Sequence, residues 1–165
     1  MKKGIRLILA ATGAVLLASQ VAGCSAMLPG GIGKCDITID YPHGSTRKAG
    51  YIDGKGKMTC TIYKGHKITG ASIETRLQKW SGKAWVTVGG TAATTKVGTV
   101  KNGVTYTGVS GFIVCQKGTF RTQSRGTASL DGAPGKSSEW ATTNDDQNKG
   151  VKNPCEKPLK VVNVR

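Results

Sequence analysis

Aromatic residues, acids and histidines are all scarce in this chain. Aromatics make up 5% of 165 residues, Asp and Glu together number 9, and there are 2 histidines. Each scarcity excludes something. A glycosidase needs two carboxylates facing one cleft. Asp36, Asp40, Asp53, Glu74, Asp131, Glu139, Asp145, Asp146 and Glu156 fall in turns and strands that give no reason to pair any two. His43 and His66 stand beside glycine in polar turns, outside any His-x-His or His-Glu-x-x-His pattern. They therefore read as surface residues and not as metal ligands. Asn144-Asp145-Asp146 lacks the regular oxygen spacing of a calcium loop. No Gly-x-Ser-x-Gly is present to start a serine hydrolase, and none of the 5 cysteines forms Cys-x-x-Cys. The expectation is a protein with no catalysis, no metal and no cofactor.

A long hydrophobic run is missing too. Residues 7–22 are mostly apolar but are interrupted by Thr12, Gly13, Ser19 and Gln20, and a membrane span needs about 20 apolar residues. The run follows Met1-Lys2-Lys3-Gly4-Ile5-Arg6 and leads through small residues to Val21-Ala22-Gly23-Cys24. This order of positive, apolar and small-residue segments is that of an export signal. The terminal four residues resemble the lipobox of bacterial lipoproteins. That resemblance implies a diacylglyceryl group on the Cys24 sulfur, cleavage before it, and a mature protein anchored on the outer face of the cell membrane. The expected organisation is a signal peptide over 1–23, a lipid-anchored flexible tether over 24–33 and one domain over 34–165.

Removing residues 1–23 takes away three basic groups and no acid, so the net charge falls from +15 to +12. Such a charge suits an anionic partner in the envelope. The basic residues are dispersed among Gly, Thr and Tyr with no Arg-rich helix, and export argues against nucleic acid. Large apolar residues are sparse, so cross-links should matter. Cys35, Cys60, Cys115 and Cys155 remain as an even set in an oxidising compartment, which points to two disulfides.

Period-2 alternation dominates the mature chain. It predicts strands over 36–40, 57–63, 68–79, 85–88, 104–115, 118–130, 137–143 and 159–164. The segment 89–103 reads as a loose connection and 144–153 as polar loop. Residues 68–79 alternate most cleanly, with Ala71, Ile73, Thr75 and Leu77 on one face and Ser72, Glu74, Arg76 and Gln78 on the other. Short strands separated by turn signals argue for an all-β, immunoglobulin-like antiparallel β-sandwich behind the N-terminal signal peptide. Cys60 and Cys115 with Trp80 and Trp85 between them fit that layout, although Ile113 stands where an antibody-type domain has tyrosine. The expected pairing is nested, Cys60–Cys115 and Cys35–Cys155, with the sequential Cys35–Cys60 and Cys115–Cys155 left open. Trp85 and Phe120 read as core and Trp80 as covering a sheet edge. Aromatic and basic residues also interleave, and the expected binding surface is built from Tyr63, Lys64, Lys79 and Trp80.

The runs 77–89, with Gly82-Lys83-Ala84-Trp85, and 115–121, Cys-Gln-Lys-Gly-Thr-Phe-Arg, resemble a group of small exported actinobacterial proteins. The resemblance covers about half of the mature domain. It implies a disulfide-bonded, all-β exported fold and no agreed activity. The functional expectation is a membrane-anchored interaction module at the bacterial cell envelope, contacting an anionic polymer or an envelope or phage protein. The alternatives are a phage or prophage superinfection-exclusion lipoprotein, by analogy with small phage lipoproteins, and an envelope enzyme or enzyme inhibitor.

Overall fold

The computed structural model describes residues 24–28, 33–63, 65–143 and 150–156. The expected signal peptide, Lys64, the Asn144-Asp145-Asp146 loop and the strand expected over 159–164 lie outside these residues. The chain runs through β1 (Cys24–Met27), β2 (Gly33–Ile39), β3 (His43–Gly44), β4 (Tyr51–Asp53), β5 (Lys55–Ile62), β6 (Ile68–Trp80) and β7 (Trp85–Thr87). It continues through β8 (Ala93–Val97), β9 (Thr105–Val109), β10 (Ile113–Val114), β11 (Thr119–Leu130), β12 (Ala133–Ser137), β13 (Ala141–Thr142) and β14 (Val151–Lys152).

The described residues form an all-β protein of antiparallel sheets. Sheet I has the order β1-β2-β5-β9, and sheet II, a small one, the order β10-β4-β3. Sheet III has the order β12-β11-β6-β7, with β13 and β14 also on β11 and β8 on β6. The long partners β6 and β11 form its centre because both alternate over most of their length, with a register shift where Ile68 meets Leu130. Their inward phase is Ile73, Thr75 and Leu77 on one strand and Phe120, Thr122, Ser124 and Ala128 on the other, all buried. Sheets I and III face each other. Gly126 of β11 shows how closely: a Cβ there would lie 2.7 Å from Ile37 Cδ1 and 3.1 Å from Met58 Sδ, both in sheet I.

The core is divided. A larger cluster gathers Ile37, Ile39, Met58, Ile68, Ile73, Val100 and the Cys35 and Cys60 side chains. A smaller one holds Ile52, Leu77 and Phe120. Between them runs a polar belt whose hydroxyls are mostly satisfied. Thr75 Oγ1 and Ser124 Oγ lie 3.1 Å apart, and Ser124 Oγ donates to the Glu74 carbonyl at 3.0 Å. Such a belt is tolerated inside because burying a hydroxyl is costly only when it lacks a partner. Thr122 Oγ1 is the exception among the described residues: it is buried without one.

Several expected boundaries shift. The stretch 104–115 is two strands in two sheets, β9 and β10, because the chain crosses over at 110–112. Ser110 N–H donates to the Gly54 carbonyl and Gly111 N–H to the Thr91 carbonyl, at 2.9 and 2.8 Å. Gly111 is required there, since a Cβ would collide with the Gly90 carbonyl oxygen. The expected loose connection 89–103 contains β8, which completes the side of sheet III beside β6. The expected strand 137–143 is divided between β12 and β13, and β14 lies within the expected loop 144–153. The tether expected over 24–33 begins as an edge strand, with Cys24 opposite Ile37 and Met27 opposite Lys34. The otherwise unpaired edge of β2 is what recruits it.

The disulfides are sequential, Cys35–Cys60 and Cys115–Cys155, which corrects the nested expectation. The reason is register. Cys35 and Cys60 are directly opposite on β2 and β5, with Cα atoms 4.0 Å apart, so their side chains meet on the inner face of one sheet. Cys115 follows the crossover into sheet II, where Cys155 comes alongside it. The immunoglobulin-type bridge between Cys60 and Cys115 is therefore not formed.

Candidate functional site

The outward phase of β6 and β11 carries a continuous set of arginines, glutamines and tryptophans. Register places Arg121 opposite Gln78, Gln123 opposite Arg76, and Arg125 opposite Glu74. Each pair is bonded. Arg121 Nε donates to Gln78 Oε1 at 2.7 Å, and Arg76 Nε to Gln123 Oε1 at 2.9 Å. Arg125 Nε donates to Glu74 Oε2 at 2.8 Å, with Nη2 2.7 Å from the same oxygen. Three guanidinium planes are thus held through Nε, that of Arg125 through Nη2 as well.

Rings continue the set. The Arg76 and Arg125 guanidinium carbons lie 3.9 and 4.6 Å from the Trp140 ring centroid, and that of Arg121 lies 4.6 Å from the Trp85 ring. Trp85 in turn meets Trp80, at 5.3 Å between centroids and a 58° tilt. Cation–π contacts at exposed sites contribute about 0.5–1 kcal/mol each, and exposed ion pairs about as little. The contacts orient these groups more than they stabilise the fold. All 3 tryptophans of the chain belong to this face, and so do three of its six arginines.

Local sequence explains the placement. The β6–β7 turn is closed by Ser81, whose Oγ accepts from Ala84 N–H at 3.0 Å and donates to the Ala84 carbonyl at 2.9 Å. Gly82 takes φ +93° in it, a conformation glycine adopts without steric cost. This brings Trp85 opposite Trp80. Trp140 arrives through the pairing of Ala141 with Ser124 and the bond from Ser138 N–H to the Gly126 carbonyl, 2.8 Å. Trp85 is half-buried on the outer face, not in the core as expected. The C-terminal segment covers it, since a Cβ on Gly150 would come within 2.6 Å of its Cη2. Its Nε1 is buried without a partner among the described residues. Phe120 is fully buried, as expected.

The expected binding surface does not assemble. Trp80 is on the outer face, but Lys79 is on the opposite phase, donating from Nζ to Gln116 Oε1 at 2.7 Å. Tyr63 is exposed but lies near the start of β6, whereas Trp80 ends it. Twelve residue steps along that strand separate the two ends by about 40 Å. Lys64 lies outside the described residues.

His43 also departs from expectation. It is buried, with Nδ1 3.1 Å from the Tyr41 carbonyl and Nε2 3.5 Å from Oδ1 of the fully buried Asp53. Ser45 Oγ donates to Asp53 Oδ2 at 2.8 Å and accepts from the N–H groups of Arg47 and Lys48, both at 3.2 Å. The three residue types of a hydrolase triad meet here in the wrong order. The carboxylate stands between hydroxyl and imidazole, so the imidazole has no nucleophile to deprotonate. Ser45-Thr46-Arg47-Lys48 has Ser-x-x-Lys spacing, contrary to the expectation that no such motif is present. The Lys48 ammonium instead sits 3.8 Å over the Tyr51 ring. The cluster anchors the 45–50 loop.

His66 is half-exposed, as its turn suggested, with Nδ1 3.2 Å from Asp131 Oδ2. That hydrogen bond and the one from Lys67 N–H hold the Asp131 carboxyl below the ordinary carboxylate range. Among the described residues, no group of three or more His, Cys, Asp or Glu converges.

Fold and face together define an antiparallel all-β, disulfide-bonded protein with an arginine–tryptophan sheet face. No family model, curated protein or solved structure matches the chain.

Proposed function

We propose that this chain is a lipid-anchored, extracytoplasmic binding module of a bacterial envelope, held at the membrane through Cys24 and without catalysis. Its recognition surface is the outer face of sheet III. The carrying observation is that Arg76, Arg121 and Arg125 are pre-oriented beside Trp80, Trp85 and Trp140. Arginine fixed this way loses little freedom on binding an anion. Two disulfides are compatible with an oxidising compartment. The anchor suits the same picture: β1 lies at the edge of sheet I, so a lipid on Cys24 leaves the far face of sheet III open to a partner.

Two measurements test this. Cys24→Ala should abolish fatty-acid labelling and move the protein out of the membrane fraction; an unchanged membrane fraction refutes the anchor. Retention on isolated envelopes should fall at least tenfold in the combined variant Arg76→Gln, Arg125→Gln, Trp140→Ala. It should hold in Lys55→Gln, Lys101→Gln, which removes the same charge elsewhere. Equal losses in both would reduce the surface to non-specific charge.

A further inference from the structure

Resting on that reading of sheet III, we propose that its outer face binds an anionic glycan, a sugar polymer whose rings carry carboxylates. The choice of basic residue is the first argument. The chain has eighteen lysines and six arginines, yet the three cations bonded across β6 and β11 are all arginine. A lysine would supply charge but no plane. A guanidinium supplies a flat fork that pairs with a carboxylate through two parallel hydrogen bonds.

Geometry is the second argument. Arg76 is fixed through Nε, which directs its Nη groups away from the bonded glutamine, whereas Arg125 gives both Nε and Nη2 to Glu74. Arg121 and Arg125 are four residues apart on β11, about 13 Å. Arg76 sits on the neighbouring strand at the level of Gln123, between them. A zigzag of cations at steps of about 7 Å along the strands favours a chain of repeated charges over one small anion, because linked contacts reinforce each other.

The third argument is what stands between the cations. Trp80 and Trp140 add flat apolar faces beside the forks. A pyranose offers a C–H face to such a ring and a carboxylate at its edge to the adjacent guanidinium. A phosphodiester-linked polyol offers the charge with nothing to stack. Nucleic acid has rings and charge, but the disulfides suit an oxidising compartment where glycans are the more available polyanion.

The 3 tryptophans all lie on this face, so intrinsic fluorescence reports it without a label. The purified protein is titrated with polygalacturonate, neutral dextran, poly(glycerol phosphate) and an oligothymidylate. The expected result is a saturable change with polygalacturonate, weakened by salt, and none with dextran. Apparent affinity should drop about tenfold in Arg76→Gln and in Arg121→Gln, and several-fold in Arg76→Lys, which keeps the charge but loses the fork. Lys55→Gln, Lys101→Gln should match the parent. No response to polygalacturonate at low salt, equal affinities across the variants, or tighter binding of the phosphate polymer or the oligonucleotide would overturn the assignment. If polygalacturonate fails while envelope retention stays sensitive to the sheet III variants, the ligand is wrong and the surface stands. If retention is insensitive as well, both fall.

Discussion

Removing the Cys115–Cys155 bridge by a double Cys→Ala substitution should cost this protein much of its stability and release one particular segment. The cysteines are 40 residues apart. A closed loop of that length restricts the unfolded chain by about 4 kcal/mol at 25 °C in the chain-entropy model. With a urea slope of about 2 kcal/mol per molar, the unfolding midpoint should fall by about 2 M. The native state loses something as well. Residues 150–156 are otherwise tied by β14 on β11, by Asn153 bonded to Gly118, and by the Pro154 carbonyl accepting from Gly44 N–H. Such bonds contribute about 1 kcal/mol each, which does not match an ordering cost of at least about 1 kcal/mol per residue. The segment should become protease-sensitive, and Trp85, which it covers, should shift in emission. Urea denaturation and limited proteolysis of the variant and its parent read both effects. A midpoint lowered by less than about 0.5 M, or a segment that stays protected, would show that the bridge is not what holds the C-terminal region.

Phe120→Ala should destabilise by about 3–5 kcal/mol, because the ring is fully buried in the small core cluster and its loss leaves a cavity; thermal or urea unfolding measures it. Gly126→Val should cost about 1–3 kcal/mol by overpacking, since even its Cβ would press on Ile37 and Met58, whereas Gly132→Asn, at an open turn with φ +83°, should be far milder in the same assay. The folded-state pKa of Asp131 is depressed, chiefly by the His66 hydrogen bond and then by Lys67 N–H. Its contribution to stability is therefore complete above the unfolded carboxylate value of about 4 and is lost as pH falls through the lower folded value. Asp131→Asn should flatten the acid limb of the stability profile, and an Asp131 carboxyl resonance titrating at the ordinary value would contradict the geometry.

Strands with one buried face were legible from residue order. In β6 and β11, alternation over most of their length names the inward set, and Ile73, Leu77 and Phe120 are indeed buried. Elements held by a neighbour and not by their own pattern were not legible. The short strands β3, β4, β10 and β14 carry too few residues for a period, and β8 alternates polar with small residues. His43 shows the same limit. In the sequence it is a polar turn residue, while burial and the neighbouring carboxylate of Asp53, ten positions later, depend on the β3–β4 register. The arginines of sheet III left a partial signal, since Arg76, Arg121 and Arg125 fall on the polar phase of strands whose other phase is core. Their glutamine and tryptophan partners come from different strands, and nothing local announces Trp140.

Residue order by itself determined the all-β character, the inward and outward phases of the long strands, the scarcity of catalytic groups and the capacity for two disulfides. These follow from period-2 alternation and side-chain chemistry, which are local. The tertiary structure decided which cysteines meet, which histidine is buried and which cations share a face. Each of those depends on strand register and on the crossover at 110–112. A shift of one residue in register would turn every one of these side chains to the other side of its sheet.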